Sequence, residues 1–221
     1  MATPKQRQKV GDALLALAAE RPWSEISLAD VAERAGVSLA ALRAEYSGRR
    51  AILRDFTARI DAEVLAGIDP EMAGEPARDR ILDTVMRRFD KLTPYKAGIR
   101  GLARAARCEP GLALALARAG LVSQPWMLAS AGIEAASQLG RLRAAGLGLV
   151  YARVVPVWLD DEDPGLARTL AALDKALTTG EKALARAEDI ACRIKGFTDR
   201  LRERRRPAAP ASDPAADAGA V

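Results

Sequence analysis

The sequence predicts an all-α protein from three observations. Apolar residues recur along most of the chain at the three- and four-residue spacing of a buried helix face. No segment of useful length alternates apolar and polar residues as a half-buried strand does. Prolines cluster at the starts of the expected helices and in the C-terminal tail, whereas glycines fall mostly between periodic segments. The chain has 221 residues, 49% of them hydrophobic, which is enough material for a core.

A first helix is expected near the N-terminus, because Val10, Leu14, Leu17 and Ala18 share one helical face. Pro22 follows its expected end. A second helix is predicted from about Leu28 to Ala35. Ser27 stands at its N-cap, and Asp30 three positions later completes the pattern of a capping box.

A short turn connects this second helix to a third. Gly36 suits the left-handed backbone that ends a helix, and Val37 is expected to pack between the two helices. Ser38 is a natural N-cap for the third helix, which points Leu42 inward. The stretch therefore reads as helix, glycine turn, helix.

A long fourth helix is predicted after Tyr46. Arg49 stands at its start, and its apolar residues keep the helical spacing for several turns. These residues are Ile52, Leu53, Phe56, Ile60 and Val64. Together the first 65 residues form a three-helix head on a connecting helix.

This head resembles that of the TetR family of bacterial transcriptional regulators. The resemblance implies a DNA-binding helix-turn-helix domain over residues 1–66 and an all-helical ligand-binding and dimerisation domain over residues 67–205. Residues 206–221 are expected to form a disordered tail, because they contain too few large apolar residues to fold. The resemblance further implies a homodimer that binds double-stranded DNA, and a hydrophobic small-molecule or lipid effector.

The resemblance also implies the DNA-binding residues, because the helix beginning near Ser38 would lie in the major groove. Arg43 is the one side chain there that can make a two-pronged contact with guanine, although family members usually carry an aromatic residue at this position. Tyr46 matches the aromatic residue that closes the recognition helix, and Arg49 matches a lysine that contacts phosphate. The full predicted set is Ser27, Ser38, Leu39, Ala40, Ala41, Arg43, Tyr46 and Arg49.

Basic residues flank this unit at three places where a DNA backbone would pass. Lys5, Arg7 and Lys9 lie at the start of the first helix, Arg43 lies on the third, and Arg49 with its neighbour Arg50 opens the fourth. The alternative is that they are ordinary solvated surface charges.

Beyond the linker at residues 69–79, further helices are predicted. One is indicated by an inward apolar stripe of Ile81, Leu82, Val85, Met86 and Phe89. The others are a segment after Pro94, one from Pro110 to Gly120, a separate segment around Trp126, and helices at about 135–159, 164–177 and 181–205. Large side chains of this region are candidates for lining an effector pocket, and the alternative is that they are simply core. These candidates are Met86, Phe89, Tyr95, Trp126, Met127, Tyr151 and Trp158.

No enzyme, cofactor or metal site is expected. The chain has no histidine, and Cys108 and Cys192 are far apart, which disfavours a zinc site or a disulfide scaffold and suggests that both are small buried residues. The acidic run at residues 160–163 lacks the spacing of a calcium loop. Asp163 as an N-cap, with Pro164 at the first helical position, accounts for it without an ion.

The same region shows a second resemblance, to the lipid-binding accessory proteins of ubiquinone biosynthesis, which share the TetR fold without reading DNA. The residues that carry it are Trp126, Arg143, Tyr151, Asp161, Pro164 and Thr169. A tryptophan expected close to Gly140 is missing. The alternative function is therefore a lipid- or isoprenoid-binding accessory protein.

The C-terminal segment 182–206 carries nine Lys or Arg against four Asp or Glu, around the apolar residues Ile190, Ile194, Phe197 and Leu201. Such a helix could contact an anionic membrane as a peripheral element. The alternatives are that it packs on its own core or across a dimer interface.

A cytoplasmic location is expected. The N-terminus has no hydrophobic signal segment, and the apolar run Leu142 to Leu159 is interrupted by Arg143, Arg153 and Pro156.

Overall fold

The computed structural model describes residues 3–182 together with Arg186, and these residues contain helices and no strand. Residues up to Gly180 form one compact unit, and of the second unit, from Glu181 onward, only Glu181, Lys182 and Arg186 are described. The all-α prediction is confirmed for the described chain.

The head consists of α1 (Pro4–Glu20), α2 (Leu28–Ala35) and α3 (Leu39–Glu45), followed by α4 (Arg49–Ala66). The predicted start and end of α2 are the observed ones. Thr3 caps α1 through a capping box with Gln6, which the sequence analysis did not anticipate. Leu14 of α1, Val31 of α2 and Ile52 of α4 are completely buried, so the four helices share one apolar core.

The remainder of the unit is built from α5 (Ala77–Leu92), α6 (Lys96–Ala105), α7 (Pro110–Ser130), α8 (Gln138–Leu159) and α9, described over residues 167–182. A short 3-10 turn, Pro70–Gly74, occupies the expected linker. Phe89 of α5 stacks on Tyr151 and packs against Trp158 of α8, with ring centroids 5.2 and 5.4 Å apart. These aromatic contacts connect α5 to α8.

The prediction that one helix ends at Gly120 is wrong, because α7 continues through Gly120 and Pro125 to Ser130. Tertiary packing overrides the weak helix preference of both residues, since Ser123, Gln124, Met127 and Leu128 of this stretch are all buried.

The predicted start of α9 at Pro164 is also wrong, because Pro164 lies in a turn and the helix begins at residue 167. Asp161 is buried just before this turn, and it accepts hydrogen bonds from the backbone N–H and the hydroxyl of Thr169 at 2.8 and 2.7 Å. Asp163 accepts from the N–H groups of Gly165 and Ala167. The acidic run thus orders the turn and the first turn of α9.

The expectation that Cys108 is buried is wrong as well, because this residue is exposed.

Helices α1 and α6 cross at two glycines. A Cβ on Gly98 would lie 2.9 Å from the carbonyl carbon of Leu15, and a Cβ on Gly101 would lie 2.9 Å from that of Ala18, with the carbonyl oxygens closer still. Only glycine permits this approach, which joins the first head helix directly to the second half of the unit.

A buried polar cluster joins α4, α5, α7 and α8. The guanidinium of Arg88 forms an ion pair with Asp61 and donates hydrogen bonds to the hydroxyls of Ser123 and Tyr151 at 3.2 and 3.4 Å. The Ser123 hydroxyl donates in turn to the second oxygen of Asp61 at 2.7 Å. Asp61, Arg88 and Ser123 are 7%, 3% and 0% exposed, so each buried polar group has a partner from another helix.

Among the described helices, α7 and α8 are long and apolar enough to cross a membrane by length and composition alone. Helix α8 therefore passes this test, although two arginines and a proline interrupt its apolar run. Two such helices are weak evidence for a membrane protein, because core helices of soluble proteins pass the same test.

Replacing Gly98 by alanine is expected to destabilise the protein by about 1–3 kcal/mol, because the added methyl group forces α1 and α6 apart. The matched control is Gly120→Ala on α7, where a Cβ would meet no atom within 4 Å. In this control, the higher helix propensity of alanine should stabilise the protein by up to about 1 kcal/mol. Chemical denaturation of both variants measures the difference, and equal effects of the two would contradict the close contact.

Candidate nucleic-acid interface

The turn between α2 and α3 has the geometry that its sequence predicts. Gly36 adopts a left-handed conformation with φ 66° and ψ 37°. The N–H of Val37 then returns to the Ala32 carbonyl at 3.0 Å, which closes the end of α2. This turn fixes the angle at which α3 leaves α2.

The two serines predicted to bind DNA both cap helices. The Ser27 hydroxyl accepts the Asp30 N–H at 3.1 Å and donates to the Asp30 carboxylate at 2.7 Å. The Ser38 hydroxyl accepts the Ala41 N–H at 3.1 Å at the start of α3. Both residues are exposed, so the capping bonds position them at the surface of the head.

The outward face of α3 consists of small and apolar residues with a single cation. Leu39 is 52% exposed, and Ala40, Ala41 and Arg43 are exposed beside it. Leu42 is buried and attaches the helix to the core. The structure thus brings Leu39, Ala40, Ala41 and Arg43 together on one surface.

Tyr46, predicted to contact DNA, is buried at 6% exposure immediately after α3. Its hydroxyl donates a hydrogen bond of 2.7 Å to the carboxylate of Asp55 on α4. Burial raises the pKa of the Tyr46 phenol, and the bond to Asp55 raises it further. The observed contact of Tyr46 ties α3 to α4. Its contact with DNA stays a prediction.

Arg49, predicted to contact phosphate, is engaged within the head. One guanidinium nitrogen donates to the carbonyl oxygens of Trp23 and Ile26, the second at 2.6 Å. The guanidinium carbon also lies 4.3 Å from the centroid of the Trp23 ring. Arg49 therefore fixes the segment between α1 and α2, and its phosphate contact stays a prediction.

The basic start of α1 lies beside α3. Arg7 and Gln6 line a small cleft together with Ala41, Ala44 and Tyr46, so the arginine stands next to the recognition helix. Lys5, Arg7 and Lys9 are all exposed. The packing of α1 beside α3 brings Arg7 close to the recognition helix, whereas the place of Lys5 and Lys9 on the same surface stays a prediction.

Most of the predicted effector residues belong to the core. Phe89, Met127 and Trp158 are at most 1% exposed, and Tyr95 and Tyr151 are half-buried in aromatic and hydrogen-bond contacts. Met86 packs against this core. Trp126 differs, because it is 54% exposed and lines a groove between α4 and α7. Ligand contact by any of the seven stays a prediction.

Asp55, Asp61 and Arg88, which hold the head helices and α4 in position, were not predicted from the sequence. Their signal in sequence is weak, because charged residues on helices are usually solvated.

The predicted basic helix over 182–206 and the tail 206–221 lie outside the described residues, apart from Lys182 and Arg186.

The geometry has close parallels among solved structures. A TetR transcriptional regulator from Nitrosomonas europaea superimposes with a TM-score of 0.63 at 22% sequence identity, over 79% of this chain and 97% of that one. A putative TetR-family regulator from Rhodococcus sp. gives a TM-score of 0.53 at 22% identity, over 78% and 98%. The fold is that of the TetR-family transcriptional regulators.

No family model matches the sequence, and comparison with curated proteins gives no match either. The resemblance of the head to the TetR family is thus confirmed at the level of the TetR fold, whereas the resemblance to the ubiquinone accessory proteins is not confirmed.

Replacing Arg49 by alanine is expected to destabilise the protein in the absence of DNA by about 2–3 kcal/mol. The change removes two charge-assisted hydrogen bonds and a cation–π contact. Arg50→Ala is the matched control, because the exposed Arg50 has no hydrogen-bond partner among the described residues. Thermal unfolding of both variants measures the effect, and an Arg49 variant as stable as the Arg50 variant would show that these contacts are unimportant.

Proposed function

We propose that the protein is a DNA-binding transcriptional regulator that inserts α3 into the major groove. The observation that supports this most strongly is the outward face of α3, where Leu39 is 52% exposed beside Arg43 on a helix held by capped ends and a glycine turn. In proteins of helix-turn-helix architecture, the exposed second helix of the unit is the element that enters the major groove. The TetR fold is consistent with DNA as the partner.

The chemistry of this face suggests how sequence would be read. Arg43 can donate two hydrogen bonds to guanine, and Leu39, Ala40 and Ala41 can contact thymine methyl groups. Lys5, Arg7 and Lys9 would neutralise phosphates, which makes the affinity strongly dependent on salt. Ser38, Tyr46 and Arg49 complete the proposed interface, with Ser27 at its edge.

We further infer a homodimer that uses α8. Leu139, Leu142 and Leu149 are 37%, 46% and 74% exposed, and with Gly146 they follow one stripe along the helix. Burying this stripe against a second copy would remove it from water. Two heads would then reach half-sites about 34–36 Å apart.

In this proposal residues 1–66 are the DNA-binding domain, residues 67–205 bind a hydrophobic effector and dimerise, and residues 206–221 are a tail. The protein is expected to act in the cytoplasm, without a cofactor and without catalysis. The membrane contact through residues 182–206 and the ubiquinone-related alternative stay predictions. Asp161 and Thr169, which contribute to that second resemblance, already have a structural role at the start of α9.

Selection from random duplex DNA tests the central proposal. The wild-type protein should enrich one sequence, and Arg43→Ala should weaken binding to it by about tenfold or more, because a two-pronged guanine contact is worth about 1–3 kcal/mol. Arg7→Ala should weaken binding to all sequences and reduce the slope of log K against log salt by about 0.9. Fluorescence anisotropy at two salt concentrations gives both quantities.

Lys91→Ala is the control for these variants, because it removes one exposed positive charge from the C-terminal turn of α5. It should leave the affinity unchanged. The regulator proposal fails if no sequence is enriched, or if the Arg43 and Lys91 variants bind equally well.

The dimer is tested with Leu149→Lys, which places a charge in the exposed stripe of α8. In analytical ultracentrifugation at micromolar protein concentrations, this variant should sediment as a monomer and the wild-type protein as a dimer. Leu39→Lys, which changes an equally apolar exposed residue on α3, should leave the dimer intact. A wild-type protein that sediments as a monomer would refute the dimer.

A further inference from the structure

An open groove of about 970 Å³ runs between α4 and α7. This volume lies at the upper end of the range of small-molecule sites, about 300–1,000 Å³. Arg50 lies against Gly111 near the start of α7, and Asp61 bonds to Ser123 further along. The two helices therefore run in the same direction, so their first halves form one end of the groove and their second halves the other.

The far end of the groove is apolar and uncovered. Val122 and Trp126 of α7 are 67% and 54% exposed, and they face Ala62 and Leu65 of α4 across the groove. Two large apolar side chains, one helical turn apart and both more than half exposed, form a patch that favours a partner. This end requires an occupant that is itself apolar.

The near end is cationic. Arg50 and Arg54 of α4 line it together with Leu114 of α7, which is 52% exposed, and Arg118 lies one helical turn further along α7, next to Val122. All three arginines are exposed. None of them has a hydrogen-bond or ion-pair partner within the part of the chain that the structure describes. By contrast, Arg34 and Arg59 elsewhere in the unit are paired with carboxylates. Three guanidinium groups without such a partner thus line one groove.

Two carboxylates also line the groove, and together they offset at most one of the three positive charges. Asp61 is buried and its charge is neutralised by Arg88, while Ser123 donates a hydrogen bond to it, so Asp61 contributes little negative potential. Glu109 is half-buried at the N-cap of α7. The occupant should therefore carry negative charge at one end. This requirement disfavours the chain's own strongly basic segment 182–206.

We propose that this groove binds a free single-chain amphipathic carboxylate. The carboxylate accepts charge-assisted hydrogen bonds from Arg54 and Arg118, with Arg50 behind them, and the alkyl chain lies along Val122 and Trp126. The inference rests on the effector-binding part of the proposed function and names the chemistry and location of that effector. Trp126 is thereby placed on the apolar wall of the site.

The probe for this site is dodecanoate, kept below its micelle concentration and titrated into the full-length protein in a calorimeter without DNA. Dodecanoate should bind, and dodecanol, which has the same chain without the charge, should bind at least tenfold more weakly. Decanoate should bind about threefold to tenfold more weakly than dodecanoate, because each buried methylene contributes about 0.8 kcal/mol and the groove is open. Equal binding of dodecanoate and dodecanol would overturn the proposal.

Variants assign the binding to this groove. Arg54→Gln with Arg118→Gln should weaken dodecanoate binding at least tenfold while leaving the melting temperature unchanged, because neither side chain has a partner to lose. Val122→Ser should weaken it severalfold, and Lys91→Gln, the charge-matched control, should have no effect. Binding by the double arginine variant at wild-type strength would refute the site.

Other occupants of the groove would give distinct results. If Arg54→Gln with Arg118→Gln converts a dimer to a monomer, the groove is an interface between copies and the proposal fails. If the protein ignores dodecanoate but sediments with phosphatidylglycerol vesicles through these arginines, the site recognises a membrane and the proposal also fails. DNA affinity, measured separately without carboxylate, tests the regulator function, so the failure of one proposal is distinguishable from the failure of the other.

Discussion

The buried ion pair between Asp61 and Arg88 is the interaction on which the arrangement of this fold depends. Both residues are nearly inaccessible, and Ser123 and Tyr151 complete the hydrogen bonds of the pair. Removing one partner of such a pair costs about 3–5 kcal/mol, because the other charge is left buried without compensation. That cost is a large part of the roughly 5–15 kcal/mol by which a typical domain is stable. The pair therefore fixes α4 against α5, α7 and α8.

Helix α4 matters because it contacts both the DNA-binding head and the groove. Its first residue, Arg49, holds the segment between α1 and α2, and Asp55 holds Tyr46 at the end of α3. Its later residues form one wall of the cationic and apolar groove. The glycine contacts between α1 and α6 add a second connection from the head to the rest of the unit. The head is thus attached through packed helices at two places.

The local structure of the head followed from sequence, because its signals lie within a few residues of one another. Ser27 with Asp30, the glycine at position 36 and Ser38 set the ends of α2 and the start of α3 as predicted. The continuity of α7 through Pro125 could not be predicted, since it depends on burial against distant helices. The roles of Arg49 and Tyr46 also depend on long-range partners, Trp23 and Asp55. The presence of Arg54 and Arg118 in the same groove requires the parallel packing of α4 and α7, which no local pattern encodes.

The central claim is that α3 and the start of α1 form the surface that meets DNA. Hydrogen–deuterium exchange of the full-length protein, with and without a duplex at low salt, tests this claim most directly, because even non-specific binding uses the same surface. The account predicts slower exchange in residues 38–46 and 3–9 when DNA is present, with little change in α7. Slower exchange confined to residues 110–130, or no change in the head at saturating DNA, would contradict it.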